Sequence, residues 1–152
     1  MYSLIIPVYK NEGSISELLD AVARLNARLT YELEVVFVVD GSPDRSYALL
    51  EAALKESGVR AQLLALSRNF GSFPAIRAGL AAAEGPFFAV MAADLQEPPE
   101  LAEEFFRILS KGEADVVIGT REGRDDPFPS RVAAGVFWGL CRKLVLPDMP
   151  PG

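Results

Sequence analysis

The amino-acid sequence predicts an α/β fold, a mostly parallel sheet with helices on both faces. Three observations point there. Apolar, β-branched runs alternate with amphipathic helical patterns from residue 2 onward. A single helical pattern separates each pair of strand candidates, as right-handed crossovers between parallel strands require. Polar clusters follow the strand candidates, at the sheet edge where open α/β sheets bind ligands.

Each element has its own signal. Residues 2–8 are apolar and β-branched, a buried strand by composition. Ser14 with Glu17 reads as a capping box, and Ile15, Leu18, Leu19, Val22 and Leu25 recur at helical spacing. Residues 33–39 form the second strand, closed by the turn residues Asp40-Gly41-Ser42-Pro43-Asp44. The next helix places Leu49, Leu50, Ala53 and Leu54 inward and stops at Gly58. Residues 62–66 predict a third strand, followed by a polar loop over 67–72 and a helix over about 74–84. The apolar run from Pro86 to Ala93 predicts a fourth strand that stops at Asp94. Pro98-Pro99 opens a helix carrying Leu101, Phe105, Phe106 and Leu109, and residues 115–119 predict a fifth strand.

Composition narrows the chemistry. The 152 residues suit one domain with a sizeable core, half of them hydrophobic. There is no histidine, which excludes His-based triads, His proton shuttles and His-ligated zinc within these residues. One cysteine, Cys141, excludes an internal disulfide and fits a reducing compartment. A net charge of -6 argues against a nucleic-acid partner. No run approaches the roughly 18 apolar residues of a membrane-spanning helix, and no signal-peptide pattern opens the sequence, so a soluble chain is expected. Charge is uneven: residues 1–120 carry 10 basic and 17 acidic side chains, residues 121–152 carry 5 and 4.

The strand-end loops concentrate polar chemistry at residues 40–44, 67–69, 94–96 and 121–124. Asp94 and Gln96, two residues apart, could meet a hard cation or a phosphate; the bland alternative is a helix cap or an ordinary turn. A cap would fall near Glu97 or Pro98, too late for Asp94. No Gly-x-Gly-x-x-Gly and no Gly-Lys-Ser/Thr loop is present, which disfavours dinucleotide oxidoreductases and P-loop NTPases. A bound diphosphate would therefore need a metal or arginines for charge balance, with Arg121 or Arg124 available.

Five motifs in order carry a resemblance. Ile6-Pro7-Val8-Tyr9 with Asn11-Glu12, then Val39-Asp40-Gly41-Ser42-Pro43-Asp44, resemble the opening of inverting family-2 glycosyltransferases of GT-A (Rossmann-like) fold. Ser67-Arg68-Asn69-Phe70-Gly71, Ala93-Asp94-Leu95-Gln96-Glu97-Pro98-Pro99-Glu100 and Gly119-Thr120-Arg121 are similar to the polyprenyl-phosphate, dolichol-phosphate-mannose-synthase-like branch. The resemblance implies a UDP- or GDP-linked sugar donor, Mg²⁺ or Mn²⁺, and transfer with inversion to an undecaprenyl or dolichyl phosphate. By position it places Pro7, Val8, Tyr9, Asn11, Glu12, Asp40, Ser67, Arg68 and Asn69 at the nucleotide. Asp94 and Gln96 would hold the metal, with Asp94, Arg121 and Arg131 as catalytic residues and the two arginines on the acceptor phosphate. The plainer alternatives are a turn acid at Asp40, a solvated charge at Glu12 and a surface residue at Arg131.

Two departures from the family pattern matter. Val39 stands where an acidic pair usually begins, and Ala92 stands where Asp-x-Asp would place a second carboxylate. Asp94 alone should then hold metal weakly without nucleotide, because Mg²⁺ commonly takes one or two carboxylates plus substrate phosphates. A lipid phosphate, with a second pKa near ~6, is largely anionic at neutral pH and needs positioning more than a base.

Residues 130–146 predict an amphipathic helix with an apolar stripe through Val136, Phe137 and Leu140 and with Arg131, Trp138 and Arg142 grouped elsewhere. It either packs on the domain or meets the headgroup region of a bilayer. The expected organisation is a nucleotide-sugar-binding core over 1–129, this helix, and a Pro-rich end over 147–152 beyond which the family domain continues. Cytoplasmic-face membrane association and a homo-oligomer are further expectations. Two other readings stay open: a soluble family-2 transferase acting on a saccharide or protein hydroxyl, and a non-catalytic nucleotide-sugar-binding module.

Overall fold

A computed structural model describes residues 1–120. Its compact unit, Met1–Val117, runs β1 (Tyr2–Val8), α1 (Ile15–Arg28), β2 (Leu33–Val39), α2 (Ser46–Leu54), β3 (Arg60–Ala65), α3 (Ser72–Ala82), β4 (Phe87–Val90) and α4 (Glu100–Ser110). The four strands form one parallel sheet in the order β3-β2-β1-β4. β1 and β2 pair over their full length, from Tyr2 opposite Leu33 to Val8 opposite Val39. Their uniform burial explains why both read as continuous apolar runs.

Strand alternation divides the core. Leu4, Ile6, Val8, Val35, Phe37 and Val39 face a layer built by α1, α2 and α4, with Leu18, Val22, Leu50 and Phe106 buried against them. Val36 and Val38 face α3 through Ala75, Ala78 and Ala82. That helix sits unusually close: a Cβ on Gly79 would lie 2.5 Å from Ile5 Cγ2. Helices thus cover both faces, and the fold expectation holds.

A buried polar knot closes the amino end of the sheet. The Glu34 carboxylate, 1% exposed, accepts the Ser3 hydroxyl at 2.8 Å, the Gln62 side-chain amide at 2.8 Å and the Glu84 backbone amide at 2.9 Å. Burial alone would raise the Glu34 carboxyl; those three donors, with Arg60 nearby, hold it below its ordinary value.

Several boundaries differ from the sequence reading. β3 begins two residues early, at Arg60, and α3 covers Ser72–Ala82 rather than 74–84. β4 is only four residues long; the chain leaves the ladder after Val90, although Met91 and Ala93 stay buried. No strand forms over residues 115–119 among the described residues, and Val116 and Ile118 are largely exposed. An apolar run becomes a strand only where a ladder partner exists, and none is present there among the described residues. The Ser14–Glu17 capping box is likewise not made: α1 begins without a side-chain cap, because Ser14 is used elsewhere. No helix among the described residues is long and apolar enough to cross a membrane. The expected helix over residues 130–146 and the Pro-rich end lie outside them.

Candidate functional site

The strand order turns back between β1 and β4, since β1 leads to β2 on one side while β4 pairs with β1 on the other. Such a switch point leaves a crevice outside the carboxyl ends of the strands. A cavity of about 340 Å³ occupies it. Its wall takes Pro7, Val8, Tyr9 and Asn11 from the end of β1, Asp40 from the end of β2, Asn69 from the loop after β3, and Asp94 from the loop after β4. Gly71 and Ser72 at the start of α3, with Ala92 and Ala93, complete the wall.

The loops around this cavity are sewn to one another by side chains. Three successive amides of the β1–α1 loop find acceptors on the β2–α2 segment. Lys10 N–H donates to Ser42 Oγ at 2.8 Å, Asn11 N–H to Ser46 Oγ at 3.2 Å, and Glu12 N–H to Asp44 Oδ2 at 3.0 Å. Asp44 Oδ1 accepts the Ser42 hydroxyl at 2.6 Å and the Ser46 amide at 3.1 Å. Partial burial works against the charged form, but the Ser42, Ser46 and Glu12 donors lower the Asp44 carboxyl from 3.8 to about 2. Glu12 returns the contact by accepting the Arg45 amide at 3.0 Å. On the other side Ser14 Oγ donates to the Ala93 carbonyl at 3.1 Å, tying the same loop to the end of β4.

Asp40 performs the equivalent task for the loop after β3. Its buried carboxylate accepts the Phe70 and Gly71 amides, each at 2.8 Å. Gly41 makes this approach possible, with φ +57° and the Arg68 backbone so near that an added Cβ would lie 2.2 Å from the Arg68 carbonyl carbon. Two non-glycine residues among those described take positive φ, Lys10 (57°) and Leu95 (55°). They leave the adjacent strands β1 and β4, on either side of the switch point, and such strain collects at functional sites.

Asp94 sits exposed at the rim, where its Oδ1 accepts the Gln96 backbone amide at 3.2 Å in an Asx-type turn. The helix behind it starts at Glu100, so Asp94 is not its cap. No group of three acidic or cysteine ligands gathers among the described residues. An exposed carboxylate whose second oxygen takes no hydrogen bond from the described residues suits a hydrated Mg²⁺ or Mn²⁺ shared with a diphosphate better than a cation held by protein alone.

The structure therefore brings Pro7, Val8, Tyr9, Asn11, Asp40, Asn69 and Asp94 around one cavity. Glu12, Ser67, Arg68 and Gln96 do not line it: Glu12 pairs with Arg45, Arg68 lies over the Phe70 ring, and Ser67 and Gln96 are exposed nearby. Arg121, Arg124 and Arg131 lie outside the described residues. Sequence reasoning missed Ser14, Ser42 and Ser46 as loop anchors, since their partners are 32 to 79 residues away. The Gly71-Ser72 start of α3 was a signal available beforehand.

A family model described as "Glycosyl transferase family 2" matches residues 3–144. The undecaprenyl-phosphate 4-deoxy-4-formamido-L-arabinose transferase of Pseudomonas fluorescens (strain SBW25) is 38% identical over 134 residues, covering 86% of this chain and 39% of the relative. The enzyme of that name from Edwardsiella ictaluri (strain 93-146) is 36% identical over 141 residues, 93% of this chain and 43% of its own length. The chain thus spans about two fifths of these curated relatives. Among solved structures, S. aureus TarS 1-349 in complex with UDP-GlcNAc superposes with TM-score 0.64 at 25% identity, over 83% of this chain and 36% of that TarS 1-349 chain.

Proposed function

The chain belongs to glycosyl transferase family 2, and we propose that it transfers a sugar from a nucleotide-sugar donor to a polyprenyl phosphate of the undecaprenyl class, with inversion. The observation that carries this reading is the switch-point cavity, walled from all four strand ends with a single exposed carboxylate at its rim. Relatives named as undecaprenyl-phosphate sugar transferases supply the acceptor class, and the UDP-GlcNAc complex of TarS the donor class.

In this reading Pro7, Val8, Tyr9 and Asn11 bracket the base and ribose. Asp40 holds the loop that presents Asn69 to the nucleotide, with Ser67, Arg68 and Glu12 shaping the surroundings. Asp94, with Gln96 beside it in the turn, would hold Mg²⁺ or Mn²⁺ together with the donor diphosphate. The cation would supply charge neutralisation of the leaving nucleoside diphosphate. The acceptor phosphate is already anionic at neutral pH, so the protein needs to position it in line with the departing oxygen rather than deprotonate it. An oxygen of that phosphate bonds to the anomeric carbon as the bond to the diphosphate breaks, and one displacement inverts the centre. Arg121 and Arg131 are assigned to the acceptor phosphate. In this reading a lipid acceptor and a nucleotide-sugar donor favour work at a membrane surface, on its cytoplasmic face.

The test combines binding with turnover. Thermal-shift screening against UDP, GDP and their sugars with Mg²⁺ or Mn²⁺ should give a stabilising nucleotide. The matching donor with undecaprenyl phosphate should release nucleoside diphosphate and label the lipid. Absence of a shift with every nucleotide, together with absence of transfer, overturns the proposal.

A further inference from the structure

The rim of the cavity carries exposed rings and cations that reach beyond its wall, although two of them, Tyr9 and Arg68, also border the proposed nucleotide site. Phe73, in the first turn of α3 and next to the wall residue Ser72, is 81% exposed, the most exposed large hydrophobic side chain among the described residues. Phe70 (43% exposed) and Tyr9 (40%) open onto the same edge. A cation lies over each of these two rings: Arg68 at 4.3 Å from the Phe70 centroid and Lys10 at 5.3 Å from that of Tyr9. These are the cation–π contacts found among the described residues, and both fall at this rim. Elsewhere Arg28, Arg45, Arg60, Arg107 and Lys111 are matched to carboxylates, while Arg24, Lys55 and Arg77 make no ion pair with a described residue. Of the nearby carboxylates, Glu12 is engaged with Arg45, Asp44 with the loop amides, and Asp40 is buried under Phe70 and Gly71, which leaves Asp94 as the exposed one on the β4 side of the cavity.

We infer that this rim, Tyr9-Lys10 with Arg68, Phe70 and Phe73, docks the site onto an anionic bilayer surface, with Phe73 entering the interface. Aromatic rings beside cations suit the headgroup layer, where a ring is half wet and a cation meets anionic lipid. The charge pattern favours lipid over a general protein partner. The chain as a whole is acidic, at net -6, and anionic vesicles would repel most of its surface while attracting this edge. The inference rests on the proposed lipid-phosphate acceptor, since a site serving such an acceptor gains by facing the bilayer that holds it.

The experiment is flotation of the 152-residue chain with vesicles of phosphatidylcholine and phosphatidylglycerol, against vesicles of phosphatidylcholine alone. No polyprenyl phosphate is present, so the outcome is independent of whether transfer occurs. The chain should float with the anionic vesicles, less so at high salt. Phe73→Ser should weaken that partitioning by about tenfold, the scale of withdrawing one large apolar side chain from an interface. The exposed position leaves folding untouched, verified by the thermal shift with nucleotide in the same preparations. Equal flotation of Phe73→Ser and the parent assigns binding to another surface, the 130–146 segment included, and overturns the inference; so does failure of the parent to bind anionic vesicles. A nucleotide shift absent from both proteins would instead count against the functional reading.

Discussion

Replacing Asp44 with Asn tests whether the site is held in shape by a charged latch. Its carboxylate collects three donors: the Ser42 hydroxyl and Ser46 amide on one oxygen, and the Glu12 amide on the other. An asparagine can accept on one side only, and its NH₂ then faces a donor. The carboxyl falls from 3.8 to about 2 on folding. At ~1.36 kcal/mol per unit this contributes about 2 kcal/mol at neutral pH, an upper figure because the latch is partly open to solvent. The folded pKa lies below the unfolded one, so the contribution is complete above pH 3.8 and is lost as pH falls towards 2. Urea titrations of the parent and Asp44→Asn should therefore differ by about 2 kcal/mol at pH 7 and by roughly half that at pH 3. Hydrogen exchange should quicken at Glu12 and its neighbours while the β1 and β2 ladders stay protected. A gap that stays constant from pH 7 to pH 3, or a difference below about 0.5 kcal/mol at pH 7, would refute the charge-based account.

Further outcomes follow from other residues. Gly41→Ala should cost more than about 3 kcal/mol, since it combines a left-handed backbone with a Cβ pressed into the Arg68 main chain; a melting point close to the parent's would show that the two loops part easily. Asp94→Asn should leave the melting temperature unchanged, because the side chain is exposed, while slowing transfer by orders of magnitude; near-normal turnover removes Asp94 from the mechanism. Calorimetry should show Mg²⁺ or Mn²⁺ binding weakly to the protein alone and far more tightly with a nucleoside diphosphate, and equal affinity in both states contradicts a shared site. Glu34→Leu should destabilise by about 3 kcal/mol through the donors it strands. The parent should also lose part of its stability as pH drops through the lowered Glu34 pKa below 4.5; a Glu34→Leu protein with the parent's acid profile would exclude Glu34 as a source of that loss.

Much of the fold was legible because its strongest signals are local. Residues 2–8 and 33–39 are apolar on both faces, and the strands occupy those residues. β4 was over-extended because burial outlasts the ladder: Met91 and Ala93 are as apolar and buried as strand residues but belong to a loop. The run at 115–119 differs for the opposite reason, apolar composition without a pairing neighbour among the described residues. At the site, Asp40, Asn69 and Asp94 were recognisable as polar residues beyond strand ends. What they do with one another was not. Ser42, Asp44 and Asp40 read as turn formers and Ser14 as a cap because local sequence exposes local roles. Their observed partners lie 30 to 79 residues away, at distances only the assembled sheet can close.

The sheet order has a consequence for the birth of the protein. β1 leaves the ribosome before the other three strands, yet it lies inside the sheet, between β2 and β4. One of its edges is satisfied once residues 33–39 have followed; the other waits for residues 87–90. The bond from Ser14 to Ala93 waits longer still. During that interval a largely apolar strand stands with an open edge, the condition under which nascent chains pair with the wrong neighbour. A stall in synthesis before residue 90 should thus be more hazardous than one after it. Of the two inner strands described, the earlier made is the later sealed.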